Sequence, residues 1–326
     1  MIGNAPLDRI GYFGKLPARS DFVKLAPDVE LMGVLDEWLA EVMSRLPGDA
    51  RWKLHYDALS PVNFAFVGPR RRHAIAGHIV ASCDQSGRRF PFLMMRTLEV
   101  ADPAAFVARC PLALDPLFGF FDTMAPQVQA APDPAAPLQA IADAVLALDE
   151  RCDAALETFL AAGTVGSLAL LLGRSDVREL ILALGMLLQP VMLVGAADLE
   201  KSLVLPLPMD AAARAAVAAF WMALIAPFLR PAGLDLALFL TRIDTRPVLV
   251  LGFCAACVHS LHAIIDPLVG REQQVSFADT GWVHDQLGVD IDVRALASYL
   301  DQPQLPLKLA RELFLDTFIG AAQWNS

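Results

Sequence analysis

"VNFAFVGPRRRHAIAGHIVASCDQSGRRFPFLMMRTL", residues 62–98, contains three strand-like runs, 62–67, 74–83 and 90–98, parted by GPRRRH and DQSGRR. Asp84 and Gly87 occupy the first and fourth positions of a type I turn, so the second and third runs read as a hairpin. Between Ala74 and Cys83 both alternating faces are apolar, which places helices on both sides of the sheet. The predicted fold class is α+β: an antiparallel sheet sandwiched by helices in three layers, with a second, more helical α/β region beyond it.

Outward from this meander, Ile10 to Lys15 reads as a short strand. Asp28 is a plausible N-cap for a helix whose apolar residues Leu31, Leu35, Trp38, Leu39, Val42, Met43 and Leu46 fall at steps of three and four before Pro47-Gly48 ends it. Asp102-Pro103 and Asp115-Pro116 each pair an N-cap with proline at the first helical position and predict two short helices. "APQVQAAPDPAAP", residues 125–137, is proline-rich without a regular period and is expected to be a linker. The predicted organisation is therefore a domain over 1–124, a linker over 125–137 and a helix-rich domain with a few strands over 138–326. Within the last, a stripe from Leu138 to Phe159 predicts one packed helix, 209–229 another, 236–241 and 247–253 a pair of strands, and 294–300 and 307–319 the closing helices.

Hydrophobic residues make up 56% of the 326 and charged residues 19%, which excludes intrinsic disorder and raises the question of a membrane. The uncharged run 180–197 is interrupted by Gln189-Pro190 and reads as a helix followed by a buried strand; the run 247–265 contains Cys254, Cys257, His259 and His262, which are costly in lipid. No stable membrane insertion is expected, and with no secretory signal at the N-terminus the expected location is the cytoplasm. Residues 1–100 hold 13 Lys+Arg against 11 Asp+Glu, and the remainder 13 against 25, an acidic balance that argues against nucleic acid as a partner. The basic cluster Arg70-Arg71-Arg72 reads as a solvated turn.

Signatures of catalysis are sparse. Cys254-Ala-Ala-Cys257-Val-His259-Ser-Leu-His262 supplies zinc-ligand residue types, but four ligands within nine residues cannot easily surround one ion, and the spacing also misses the haem-attachment pattern. Core packing is the favoured reading of the two thiols, with a redox or enzymatic use of Cys254 and Cys257 as the alternative. His55, close to Asp57, and His78 read as hydrogen-bonded packing. Gly163-Thr-Val-Gly166-Ser167 fits neither a nucleophile elbow nor a phosphate loop. No enzyme activity, cofactor or metal is expected.

"GYFGKLPARSDFVK" (11–24), then DEWL, SPVNFAF and "GHIVASCDQSGRRFPF" (77–92), closely resembles in order and spacing the N-terminal region of the TagF family of type VI secretion-associated proteins. That family's pattern is an aromatic-Gly-Lys-Leu-Pro opening closed by Gly-Asp-Phe, a tryptophan-bearing helix, and a strand-turn-strand ending in S-x-D-x-x-G-R-x-F-P. Ser20 departs from it, standing where the family has glycine. The resemblance implies a cytoplasmic accessory protein, a post-translational repressor of type VI secretion that binds a protein partner such as a forkhead-associated scaffold, with oligomeric state open. The residues expected to form the partner-binding surface are Gly14, Lys15, Pro17, Arg19, Asp21 and Phe22, with Asp84 and Arg88 from the hairpin turn beside them; contact with the partner is expected chiefly from Lys15 and Arg19. The competing expectation for Asp21 and Arg88 is that they pair with each other and pin the loop.

Overall fold

The computed structural model describes residues 9–148, 152–194, 200–231, 233–277, 280–286 and 290–320. The strands are β1 (Gly11–Gly14), β2 (Val23–Leu25), β3 (Val62–Val67), β4 (His73–Val80), β5 (Phe92–Glu99), β6 (Ser202–Pro206), β7 (Leu236–Ile243), β8 (Arg246–Gly252) and β9 (Gln274–Ser276). They form one mixed sheet in the order β2-β1-β5-β4-β3-β7-β8-β6-β9, antiparallel at each pairing except β6–β9. The meander read from residues 62–98 is its centre, and the hairpin closes as expected, with the Gly87 N–H donating to the Asp84 carbonyl at 2.8 Å.

The helices are α1 (Val29–Arg45), α2 (Trp52–Asp57), α3 (Pro103–Ala130), α4 (Ala135–Asp143), α5 (Cys152–Ala162), α6 (Val165–Leu172), α7 (Val177–Val194), α8 (Ala211–Leu229), α9 (Val258–Ile265), α10 (Pro267–Gln273), α11 (Val283–Gln286), α12 (Ile291–Leu300) and α13 (Leu307–Phe318). Alternation along the strands divides the core into two layers. Phe64, Phe66, Leu93, Phe239 and Val250 face α1, α2 and α9. Ala65, Val67, Met94, Leu238 and Leu249 face α3, α8 and the remaining packed helices. The three-layer α+β arrangement is thus present, and both faces of β4 are covered as its composition requires. Trp38 anchors α1 on the sheet, its ring 5.3 Å from that of Phe66 and 5.8 Å from that of Phe64. Asp28 caps α1 by accepting the Leu31 N–H at 3.0 Å.

Several boundaries differ from expectation. Residues 125–137 are not a linker: α3 runs through Pro126 to Ala130, and α4 begins at Ala135. The two helices expected at Asp102 and Asp115 are this one helix, which carries Pro111, Pro116 and Pro126 in its interior. An interior proline costs about 3 kcal/mol, but Phe106, Val107, Leu114, Leu117, Phe118, Phe121 and Val128 form one continuous buried face, and each such side chain contributes about 1.5–3 kcal/mol when removed from water. The sheet also crosses the expected boundary, because β3 pairs with β7 from Asn63–Leu240 to Val67–Leu236. In the same way α7 continues through Pro190 to Val194, where a buried strand was expected. The stripe 138–159 is divided between α4 and α5, since the Ala144 backbone turns extended.

Among the described residues two helices, α3 and α8, are long and apolar enough by length and composition to cross a membrane; half of the apolar window of the first and two thirds of that of the second lie buried inside the fold.

Candidate functional site

The end of β1 sets the geometry of the loop that follows. Gly14 has φ +135°, and a Cβ built there would lie 2.1 Å from the Pro91 carbonyl oxygen. Glycine is therefore required both by conformation and by the close approach of β1 to β5. The next residue, Lys15, turns inward. Its Nζ lies 3.0 Å from Asp84 Oδ2, and the Asp84 side chain has no solvent exposure.

Asp84 organises the hairpin turn around itself. Its carboxylate accepts from Ser86 N–H at 2.9 Å, Arg88 N–H at 3.0 Å and Arg88 Nε–H at 2.7 Å. Burial alone pushes this carboxyl up, but the bonds from Lys15, from Arg88 and from the Ser86 backbone outweigh it and hold Asp84 far below the usual carboxylate range. The surrounding polar groups are satisfied in turn. Ser82 Oγ donates to the Lys15 carbonyl at 2.7 Å; the Tyr56 hydroxyl accepts from Ser82 N–H at 3.0 Å and donates to the Ser82 carbonyl at 2.9 Å.

The loop crosses this hub and is bonded to it at each step. Arg19 N–H donates to the Leu16 carbonyl at 3.0 Å, Gln85 N–H to the Arg19 carbonyl at 2.9 Å, and Arg88 Nη2 to the Ser20 carbonyl at 3.0 Å. Phe22 stacks on Phe13 at 5.1 Å and meets Phe90 edge-on at 5.1 Å, with Lys15 Nζ 5.1 Å from its ring centre. It nevertheless remains 42% exposed. Arg19 reaches Asp133, just before α4, at 2.7 Å, and Arg89 forms a bidentate pair with Asp57 at 2.8 and 2.6 Å.

All eight residues singled out from the sequence meet in this one region, in two roles. Pro17, Arg19, Asp21, Phe22 and Arg88 are exposed, whereas Gly14, Lys15 and Asp84 are buried. Lys15, at 8% exposure, is corrected from a contact residue to an internal brace: its ammonium is spent on Asp84. Asp21 and Arg88 do not pair either, because Asp21 accepts the Phe22 N–H at 2.8 Å while Arg88 is committed to Asp84 and Ser20. Tyr56, Asp57 and Asp133 complete the region without having been read as part of it. Ser82 lay within the quoted motif, and its spacing to Asp84 was the available signal; for Tyr56 there was none.

Elsewhere, Asp57 bonds Arg89 rather than His55, which lies 3.2 Å from Asp49. His78 is buried, its Nδ1 2.8 Å from Asn63 Oδ1 and 3.4 Å from Asp122 Oδ1, and desolvation lowers its pKa to about 4. Thr164 and Ser167 form a capping box at the start of α6. Cys254 is exposed and Cys257 half-buried, so core packing does not describe this pair. Among the described residues, no group of three or more His, Cys, Asp and Glu is arranged to hold a metal ion.

Among solved structures the chain is similar to PA0076 from Pseudomonas aeruginosa PAO1, at 25% sequence identity and a TM-score of 0.37, over 43% of this chain and 64% of that one. It thus spans less than two thirds of that relative's length. No curated protein matches the chain. Residues 11–148, which carry the braced loop, the hairpin and α3, match the TagF N-terminal domain, type VI secretion system-associated.

Proposed function

We propose that the protein is a non-catalytic accessory factor of type VI secretion that acts in the cytoplasm by binding, and that it represses the apparatus after translation by engaging a forkhead-associated scaffold protein. The observation that carries this reading is the loop itself: a guanidinium at Arg19, another at Arg88 and an aromatic ring at Phe22 stand exposed on a backbone fixed by a buried ion pair. Arginine and aromatic side chains dominate binding energy at protein interfaces. A backbone already held in place loses little conformational freedom on association. The buried Lys15–Asp84 pair supports this role, since such pairs add little net stability while fixing one arrangement of the chain.

The test is repression in cells. Overproduced wild-type protein is expected to reduce type VI secretion, and the double variant Arg19→Glu, Phe22→Ala, at equal steady-state level, is expected to leave secretion unreduced. Leu170→Ala, at an exposed position on α6, serves as the control and should repress like wild type. Full repression by the double variant would refute the reading.

A further inference from the structure

Chain geometry at the end of β8 brings two thiols together outside the core. Gly252 ends the strand, Ala255-Ala256 form a turn, and Cys257 is the N-cap of α9. Both alanines pack against the core layer beneath α1, which leaves Cys254 exposed and Cys257 half-buried. Residues at the first and fourth positions of a turn have Cα atoms less than about 7 Å apart, which overlaps the span of about 4.4–6.8 Å that a disulfide bridges. Cys257 Sγ lies 3.3 Å from His259 Nδ1, on the first turn of the same helix. The side chain of Cys257 caps no backbone N–H of α9, so its sulfur is not committed there. The Trp38 Nε1–H donates to the Cys257 carbonyl at 3.3 Å and ties the turn to α1.

We propose that Cys254 and Cys257 are a reversible dithiol–disulfide pair, oxidised by a low-molecular-weight disulfide, with Cys257 as the attacking thiol. His259 Nδ1 takes the Cys257 proton; the thiolate attacks one sulfur of the small disulfide, forming a mixed disulfide and expelling the first small thiolate, which takes up that proton. Cys254, deprotonated in turn, attacks the Cys257 sulfur and expels the second small thiolate, which is protonated. Two protein thiols are oxidised to one disulfide, and one small disulfide is reduced to two thiols. Burial, and after it the neighbouring Cys257, push the Cys254 thiol up, which suits it to the second step, at close range, rather than the first. Cys110 and Cys152 are buried and take no part, and half-buried Cys83 is an internal comparator.

The experiment equilibrates the purified full-length chain in glutathione buffers of graded oxidised-to-reduced ratio, quenches with acid, alkylates, and reads the peptide spanning 254–257 by mass spectrometry. A peptide with both sulfurs joined is expected to appear as the ratio rises and to disappear on return to reduced glutathione. In Cys254→Ser the glutathione adduct should accumulate on Cys257, and it should form at least tenfold faster than the adduct on Cys254 in Cys257→Ser. Both changes are at a surface turn, and circular dichroism verifies the fold. A pair that stays reduced across the range overturns the proposal, as do adducts on both cysteines without the joined peptide. Equal adduct rates in the two variants overturn the assignment of Cys257 as the attacking thiol.

Discussion

Gly14→Ala tests whether the close approach of β1 to β5 is what aims the loop. At φ +135° an alanine is held in a region that costs about 1–3 kcal/mol for a residue with a side chain. Its Cβ would also lie 2.1 Å from the Pro91 carbonyl oxygen and 2.7 Å from the Phe92 Cα, both backbone atoms that cannot rotate away. Relief requires β1 to separate from β5 near the Gly14–Phe92 pair, with the loss of one or two ladder hydrogen bonds at about 1 kcal/mol each. The sum is about 2–5 kcal/mol, which for a chain of this size lowers the midpoint of thermal unfolding by roughly 3–7 °C. Two other glycines calibrate the measurement. Gly87, at φ +77° in the hairpin turn, has open space around its Cβ position, so Gly87→Ala carries the conformational cost alone, about 1 kcal/mol. Gly33, inside α1, also faces open space, and Gly33→Ala should stabilise by about 0.5–1 kcal/mol. Denaturant melts of the three variants against wild type give the order directly. A Gly14→Ala loss below about 1 kcal/mol, or one no larger than that of Gly87→Ala, would refute the reasoning.

Tyr56→Phe removes the hydroxyl that serves both the Ser82 N–H and its carbonyl; it should cost about 2 kcal/mol in a denaturant melt, because each buried group left unpaired is penalised separately. His78 refuses a proton until its pKa of about 4 while the unfolded chain accepts one near the ordinary value of 6.5. Stability should therefore fall by about 3 kcal/mol as pH drops from about 6.5 to about 4, and His78→Gln should flatten that part of the profile measured by urea melts. Asp84 has the opposite shift. Its contribution is present above the ordinary carboxylate pKa of about 4 and is lost as pH falls below it toward the depressed folded value. Lys15→Met, which removes one cause of that depression, should weaken the pH dependence in this acid range, as read by the same melts.

The centre of the fold was legible because its signals are local. Period-two alternation with aromatic and branched residues placed β3 at 62–67, and the Asp-x-x-Gly spacing placed the hairpin turn. Helix α1 was readable from its N-cap and its apolar stripe. What was misread depends on tertiary contact. Proline and alanine over 125–137 carry the composition of a linker, yet Ala125 and Val128 pack into the core and hold the helix through Pro126. Likewise, pairing of β3 with β7, from Asn63–Leu240 to Val67–Leu236, leaves no trace in either strand's own pattern. For the loop, motif spacing gathered the right residues, but a lysine in a polar stretch gives no sign that it will be buried; only Asp84, brought in across the hairpin, makes that orientation favourable.

We propose that the exposed face of the braced loop is the binding surface. Calorimetric titration of the purified forkhead-associated scaffold with wild type, Arg19→Glu and Phe22→Ala tests it most directly. Each substitution is expected to raise Kd at least tenfold, a loss of about 1.4 kcal/mol or more, with melting behaviour showing that the variants are folded. Unchanged affinity in both variants, or no binding by the wild-type chain, would contradict the account.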